Sequence, residues 1–307
     1  EHAVGFDIAA HPADAEAHRM LGAIVVRKDV DAEVEAVESL LARENILNDE
    51  QRAQLEFTLG TAYDDLGDEG RASAHFSRGN ALIRKLRPFD LDAALRRMEE
   101  LKQTFAAIEP PPLAPPTGPV FIVGLPRSGK TTLEGMLARH PVFYPGGELS
   151  AAATHSSAVH QRGKDGAQAA AALGRRYLAM AAALAPGRRL LDTMPNNFLL
   201  LGTLRLALPG ARILHCTRDP EAHAAALQRK LFLLGGNEYT SDAADLDAYL
   251  AAYRELMSFW RQRFPDFVMD VDMSDAIAQL PSILQFLGAP WHEAVTAPCV
   301  SEPRLAG

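Results

Sequence analysis

The chain has 307 residues, of which 48% are hydrophobic and 23% are charged, values typical of a folded globular protein rather than a disordered one. Its formal net charge of −8 gives no general attraction to nucleic acid or to an anionic membrane. No apolar run approaches the length of a membrane span, and the first residues lack a signal-peptide pattern. Two cysteines are too few for a disulfide framework. Composition therefore predicts a cytoplasmic protein with no transmembrane segment and no nucleic-acid partner.

The region 1–108 carries apolar residues at helical spacing, and one stretch has the offsets of a tetratricopeptide repeat: Leu59, Gly60, Tyr63, Ala72 and Phe76. The small residues would let two antiparallel helices approach, and 66–70 would form the turn. An imperfect copy is predicted around residues 21–22, and a further helix over about 91–105. We expect this region to pack against the rest of the chain, or alternatively to bind a protein partner on a concave surface.

Six prolines lie in 109-EPPPLAPPTGP-119, and such a segment suits neither a helix nor a sheet interior. It predicts a stiff, extended linker. After it, short strand-like runs alternate with helical ones. The predicted organisation is a helical repeat region at 1–108, a proline-rich linker at 109–118 and an α/β domain at 119–307.

The segment 119-PVFIVGLPRSGKTTLEGMLARHP-141 reads as a buried strand, a loop and a helix. The loop spells G-x-x-x-x-G-K-T, the phosphate loop of nucleotide hydrolases and kinases. Backbone N–H groups, the helix dipole, Arg127 and Lys130 would together form an anion site. A magnesium-dependent kinase or nucleotidase also needs a metal-binding carboxylate, and Asp192, after a short apolar run, is the best candidate.

The same segment also resembles the 5′-phosphosulfate loop of sulfotransferases, whose usual form is P-R-S-G-T-T-L before a helix ending in H-P. Further on, 211-ARILHCTRDPEAHAAALQRKLF-232 resembles their 3′-phosphate element, and 192–215 and 239–265 resemble bacterial sulfotransferases with N-terminal tetratricopeptide repeats. The resemblance extends to about residue 290. It implies a parallel-sheet, P-loop-like α/β sulfotransferase domain preceded by an α-helical tetratricopeptide-repeat region.

The resemblance implies transfer of a sulfuryl group from 3′-phosphoadenosine-5′-phosphosulfate to a hydroxyl of a sugar, lipid or peptide, without a metal. Arg218, at the end of a later strand, is then expected to bind the donor's 3′-phosphate. Glu148 in 145-PGGELS-150 is expected to be the general base, with a helix-capping role as the alternative. Lys130 would stabilise charge during transfer. The 5′ end of the donor would be held by Arg127, Ser128, Gly129, Lys130, Thr131 and Thr132.

Four positions depart from the usual pattern of that family. Lys130 stands where Thr is usual, Thr193 where Lys is usual, Ala226 where a Ser contacts the 3′-phosphate, and Phe259 where His is usual. Lys130 could offset the charge missing at Thr193. Three hypotheses follow: a working enzyme with a rewired donor site, an enzyme with another donor, or an inactive relative that binds nucleotides or partner proteins. The acceptor, the oligomeric state and the role of 291–307 stay open.

Two smaller predictions concern the α/β region. Tyr253 and Trp260, seven residues apart on a helix, are expected in the core. The polar stretch 161–168 is expected to be a loop beside the cleft.

Overall fold

The computed structural model describes residues 8, 11–43, 46–154, 164–233, 235–297 and 305–306. Contacts between Cα atoms divide the chain into two compact units. The described parts of Glu1–Asp92, Ala224–Leu250 and Val300–Gly307 form the first, here called the helical unit, and those of Ala93–His223 and Ala251–Cys299 form the second, the α/β unit. The domain limits given by the sequence, 1–108, 109–118 and 119–307, stay a prediction.

From residue 11 to residue 92, the described part of the helical unit contains four complete helices, and each is preceded by a side chain that accepts a hydrogen bond from the first turn: Asp14, Asp31, Asn48 and Asp68. The helices are α1 (Ala15–Ile24), α2 (Ala32–Ala42), α3 (Asp49–Asp65) and α4 (Glu69–Leu86). Strand β1 (Val25–Val26) pairs in parallel with β7 (Leu305–Ala306). Helix α5 (Leu91–Ala106) follows, which confirms the helix predicted over 91–105.

Helices α3 and α4 form the predicted hairpin. A Cβ atom at Gly60 would lie 2.6 Å from the Phe76 ring, so the close approach of the two helices requires glycine there. Leu59, Tyr63 and Ala72 are buried along the same seam. The helical hairpin is therefore confirmed, while its membership of the tetratricopeptide class stays a prediction.

The α/β unit contains a five-stranded, fully parallel sheet in the order β3-β4-β2-β5-β6. This confirms the predicted parallel α/β architecture. The strands are β2 (Val120–Val123), β3 (Phe143–Pro145), β4 (Arg189–Asp192), β5 (Arg212–Thr217) and β6 (Val268–Asp272). Every residue of β2 is buried, as expected for a central strand covered on both faces.

Among the described residues, seven helices accompany these strands: α6 (Lys130–Leu137), α7 (Ala151–Thr154), α8 (Lys164–Leu184), α9 (Leu201–Ala207), α10 (Pro220–Gln228), α11 (Ala243–Arg263) and α12 (Ala276–Phe286). Helices α5, α10 and α11 have residues in both units. Short 3-10 helices lie at Pro195–Leu200, Glu238–Ser241 and Glu293–Thr296. The loop predicted over 161–168 is wrong for 164–168, which begin α8, while 161–163 lie outside the described residues.

The core of the α/β unit covers both faces of the sheet. Residues of β2 and β5 pack with α6 and α12 on one face, and the Phe121 ring lies 5.1 Å from that of Tyr177 on α8. Trp260 is fully buried and donates its indole N–H to the Phe198 carbonyl at 3.0 Å. Tyr253 is also buried, so both are confirmed as core residues.

The proline-rich segment contains no helix or strand among residues 107–119. Its carbonyl groups are bound by arginines of the α/β unit: Arg205 donates to Pro111, Arg212 to Ala114 and Arg189 to Gly118. The segment is thus attached to this unit along its length. Among the described residues, none of the helices combines the length and the hydrophobicity needed to cross a bilayer.

Candidate functional site

The loop between β2 and α6 has the backbone shape of an anion site. Gly124, Arg127 and Gly129 have positive φ values of 150°, 65° and 96°. Such a conformation directs successive backbone N–H groups toward one point, where the N-terminus of α6 adds its dipole. A Cβ atom at Gly124 would lie 2.5 Å from Ser128 Oγ, and one at Gly129 would lie 2.8 Å from Met273 Cγ. Glycine is therefore required at both places.

The loop combines exposed and buried polar groups. Arg127, Thr131 and Thr132 are exposed, whereas Ser128 is fully buried and its Oγ has no hydrogen-bond partner among the described residues. Lys130 is 6% exposed, and its Nζ donates to the Leu125 carbonyl at 3.1 Å. Burial lowers the pKa of Lys130 to about 8, because a charged ammonium is poorly solvated there. A bound anion would supply the missing charge partner and a hydroxyl acceptor.

Arg218 follows β5, the strand beside β2, and its Nη1 donates to the Arg127 carbonyl at 3.0 Å. The two predicted anion-binding elements therefore meet at the carboxyl end of the sheet. His223, on α10, supports the same loop by hydrogen bonding through Nε2 to the Pro126 carbonyl at 2.8 Å. Burial lowers the pKa of His223, which favours the neutral ring with a proton on Nε2. Sequence reasoning missed this residue, although its place in the helix after Arg218 was a usable signal.

Glu148 lies after β3, on a turn that begins with two glycines, and its side chain is exposed. Burial lowers the pKa of Lys130, and the negative charge of Glu148 raises it by a smaller amount. The two side chains are therefore close enough to interact electrostatically. The predicted base and the predicted cation are thus on the same edge of the sheet. An exposed carboxylate there can accept a proton from a molecule that enters from solvent.

Asp192, the candidate magnesium ligand, ends β4 and is fully buried. Its Oδ2 accepts from the Tyr177 hydroxyl at 2.6 Å, and its Oδ1 accepts from the Met194 N–H at 3.0 Å and from Asn197 Nδ2 at 3.2 Å. Burial raises the pKa of Asp192 to about 6. Both oxygens are engaged by donors, which does not favour the metal role. Among the described residues, no group of three or more His, Cys, Asp and Glu side chains could hold a metal ion.

Three of the four positions that depart from the usual family pattern have ordinary structural surroundings. Thr193 is buried, and its N–H donates to the Gly147 carbonyl at 2.9 Å. Ala226 lies on α10, and Phe259 packs on Trp260 with 5.0 Å between ring centroids. The hydroxyl of Thr217, the residue before Arg218, donates to the Val271 carbonyl at 3.3 Å. Lys130 is consequently the unusual residue that brings a charge to the phosphate loop.

A model of the sulfotransferase family matches residues 119–293, more than half of the chain. The chain belongs to the sulfotransferase family. The chain is 23% identical over 294 residues to an uncharacterized protein of Aquifex aeolicus strain VF5, and the alignment covers 87% of this chain and 38% of that protein. The chain therefore spans less than half of the length of the curated relative it matches.

Several solved structures are similar to this chain at low identity. The sulfotransferase domain of the curacin biosynthetic pathway is 17% identical, with a TM-score of 0.45, over 63% of this chain and 80% of that domain. The sulfotransferase domain of the Synechococcus PCC 7002 olefin synthase is 22% identical, with a TM-score of 0.44, over 64% of this chain and 82% of that domain. Sulfotransferase STF1 of Mycobacterium tuberculosis H37Rv is 16% identical, with a TM-score of 0.40, over 88% of this chain and 94% of that chain.

Proposed function

We propose that this protein transfers a sulfuryl group from 3′-phosphoadenosine-5′-phosphosulfate to a hydroxyl of a sugar, lipid or peptide. One observation carries the proposal: Arg218 reaches the phosphate loop, with 3.0 Å between its Nη1 and the Arg127 carbonyl oxygen. The donor presents two separated anions, and a site that selects it needs a cation for each. The loop from Gly124 to Lys130 suits the 5′ end, and Arg218 suits the 3′-phosphate.

The reaction requires two things of the chain, which are removal of a proton and stabilisation of negative charge. Glu148 takes the proton of the acceptor hydroxyl while the acceptor oxygen bonds to sulfur. The bond from sulfur to the bridging phosphate oxygen breaks, and adenosine 3′,5′-bisphosphate leaves with the electron pair. Lys130 and the loop N–H groups stabilise the negative charge on that oxygen and on the sulfuryl oxygens. Protonated Lys130 is required for this task, and an anion beside it favours the protonated form.

Two alternatives make different demands on the same site. A magnesium-dependent kinase or nucleotidase needs a carboxylate free to bind the metal, whereas both oxygens of Asp192 accept hydrogen bonds. An inactive nucleotide-binding relative needs the loop but not Glu148. The helical hairpin of α3 and α4 supports a further proposal, that the helical unit is a tetratricopeptide-type surface for a protein partner.

Ligand-induced thermal stabilisation separates these alternatives. We expect adenosine 3′,5′-bisphosphate to raise the melting temperature more than ATP or GTP with magnesium, because binding to the folded state stabilises it. The Arg218→Ala variant should lose most of this preference. Arg254→Ala, which removes an exposed arginine of α11 in the same unit, is the matched control and should keep it.

Each outcome decides between the candidates. A response to magnesium-ATP alone would exclude the sulfuryl-transfer proposal. Binding of the bisphosphate without release of labelled sulfate from the donor, to water or to a panel of sugar, lipid and tyrosine-peptide hydroxyls, would identify the inactive relative. Stabilisation by bisphosphate together with labelled product supports the enzyme.

A further inference from the structure

The turn that carries Glu148 is fixed by backbone geometry on its N-terminal side. A Cβ atom at Gly146 would lie 2.6 Å from the Leu191 carbonyl oxygen, so the turn lies directly against β4. The Gly146 N–H donates to that carbonyl at 2.9 Å, and Gly147 has a φ of 66°. The Gly147 carbonyl in turn accepts from the Thr193 N–H at 2.9 Å. Both glycines are needed to place the next residue, Glu148, at this edge of the sheet.

A buried carboxylate from the phosphate-loop helix holds the same turn. Glu134 lies one helical turn after Lys130 on α6 and is 8% exposed. Its Oε1 accepts a hydrogen bond from the Gly147 N–H at 2.9 Å. Burial raises the pKa of Glu134, and the nearby charge of Glu148 raises it further. This contact ties the helix that carries Lys130 directly to the turn that carries Glu148.

A second buried carboxylate holds the turn from the other side. Asp192 accepts hydrogen bonds from Tyr177, Met194 and Asn197, and the next residue, Thr193, donates its N–H to the Gly147 carbonyl at 2.9 Å. The Leu149 N–H is near enough to Asp192 to lower the pKa of its carboxyl, against the larger effect of burial. The residues on either side of Glu148 thus each lie beside a buried carboxylate, while the Glu148 side chain itself is exposed. The backbone is fixed where the side chain is left free to meet a substrate.

We infer that Glu134 and Asp192 are positioning residues that hold the Glu148 turn against the phosphate loop. The inference rests on the proposed function, because it gives Glu148 the role of base. Glu134 supplies the acceptor for the half-buried Gly147 N–H, and Asp192 fixes the end of β4 against which the turn lies, so loss of either carboxylate allows the turn to shift. A base displaced by an ångström loses much of its effect, although donor binding at the loop is retained.

The test uses Glu134→Gln, Glu134→Asp and Tyr177→Phe in the full chain. Glutamine keeps one acceptor oxygen at the same reach, aspartate is too short for Gly147, and Tyr177→Phe removes one donor to Asp192 while keeping the ring. The readout is release of adenosine 3′,5′-bisphosphate from the donor with water or the acceptor panel. We expect kcat to fall by about 100-fold in Glu134→Asp and by less in Glu134→Gln and Tyr177→Phe. The bisphosphate Kd should stay within about twofold in all three.

A double-mutant cycle with Glu148→Gln distinguishes positioning from general structural support. If Glu134 acts through Glu148, adding Glu134→Asp to Glu148→Gln should lower kcat no further, because both changes remove the same step. Independent losses that multiply, or a wild-type kcat in Glu134→Asp, would overturn the positioning role while the sulfuryl-transfer function stands. Absence of donor turnover in the wild-type protein would instead overturn the proposed function.

Discussion

The two ends of the parallel sheet in the α/β unit both carry cations, but these cations have different partners. At the carboxyl end, Arg127 and Arg218 are exposed, and Lys130 directly follows the loop in which Gly124, Arg127 and Gly129 have positive φ values. At the amino end, Arg205 and Arg212 are buried and donate to carbonyls of the proline-rich segment. Prolines lack N–H groups, so this segment offers acceptors that a strand ladder could not satisfy. Positive charge alone therefore does not identify an anion site, and the available partners decide the role.

The comparison predicts that changes at the carboxyl end affect chemistry and that changes at the amino end affect stability. The largest effect is expected for Glu148→Gln, which preserves shape but cannot take a proton. Donor turnover should fall by about 100-fold to 10,000-fold, the usual contribution of a general base. Bisphosphate binding and melting temperature should remain near wild type, because the side chain is exposed.

Glu100→Gln, at an exposed position on α5, is the control for the charge change. Turnover by Glu148→Gln within about threefold of wild type would contradict the base role, since removal of a functioning base costs far more. It would leave Glu148 with the helix-capping alternative.

The next largest effect is expected for Arg189→Met at the amino end. Arg189 donates to the Gly118 carbonyl at 2.7 Å and to the Leu287 carbonyl at 2.5 Å, and its guanidinium lies 5.3 Å from the Phe143 ring centroid. Burial lowers the pKa of Arg189 to about 10, because the charged guanidinium is less well solvated there than in water. We expect a net loss of about 2 kcal/mol in the free energy of unfolding, because two carbonyls lose charged donors.

Urea denaturation measures this loss, and bisphosphate titration of the same variant should give an unchanged Kd. Arg218→Met is the matched change at the carboxyl end and should do the reverse: weak binding, with stability altered by about 0.5 kcal/mol or less. Equal effects of the two variants on the bisphosphate Kd would contradict the prediction that only the carboxyl end of the sheet binds the ligand.

The smallest effect concerns the protonation of Lys130, whose pKa burial lowers from 10.5 to about 8. Anion binding requires the ammonium form, which is abundant below pH 8 in the free protein and scarce above it. The bisphosphate Kd should therefore weaken by about tenfold between pH 7 and pH 9, the change expected for one group that titrates near pH 8. Isothermal titration at both pH values measures the change.

Lys130→Arg provides the internal comparison, because an arginine stays charged across this range. Its Kd should vary little between the two pH values, even if its affinity at pH 7 differs from that of the wild type. The same pH dependence in Lys130→Arg would assign the effect to another group. Since the folded-state pKa of Lys130 is lowered, its contribution to stability should become more favourable as pH rises from about 8 to 10.5.

Much of the site was predictable because local sequence specifies strand, loop and helix together. The apolar run 120–123, the glycines at 124 and 129 and the helix from Lys130 each have a local physical reason. Arg218 and Glu148 were placed by family resemblance, and the structure brings them to the same edge as Lys130. Glu134 and His223 were missed because their partners, the N–H of Gly147 and the carbonyl of Pro126, are distant in sequence.

The interpretation of Asp192 and of the proline-rich segment shows the same limit. Sequence placed Asp192 at a strand end, where it could bind magnesium, but its hydrogen bonds to Tyr177 and Asn197 give it another role. Sequence also predicted an extended segment at 109–118, but nothing local indicated that three arginines between 189 and 212 would bind its carbonyls.

The sequence by itself determined the helical hairpin, the parallel α/β character and the glycine-containing loop between β2 and α6, since these follow from hydrophobic period, turn residues and the glycines that allow positive φ. Tertiary structure alone decided which charged groups are available to a ligand. Lys130, Asp192 and Arg205 are all buried ionisable side chains, and their proposed roles depend on what the fold places beside them. That choice depends on long-range contacts, because a buried polar group takes its role from whichever partner satisfies it.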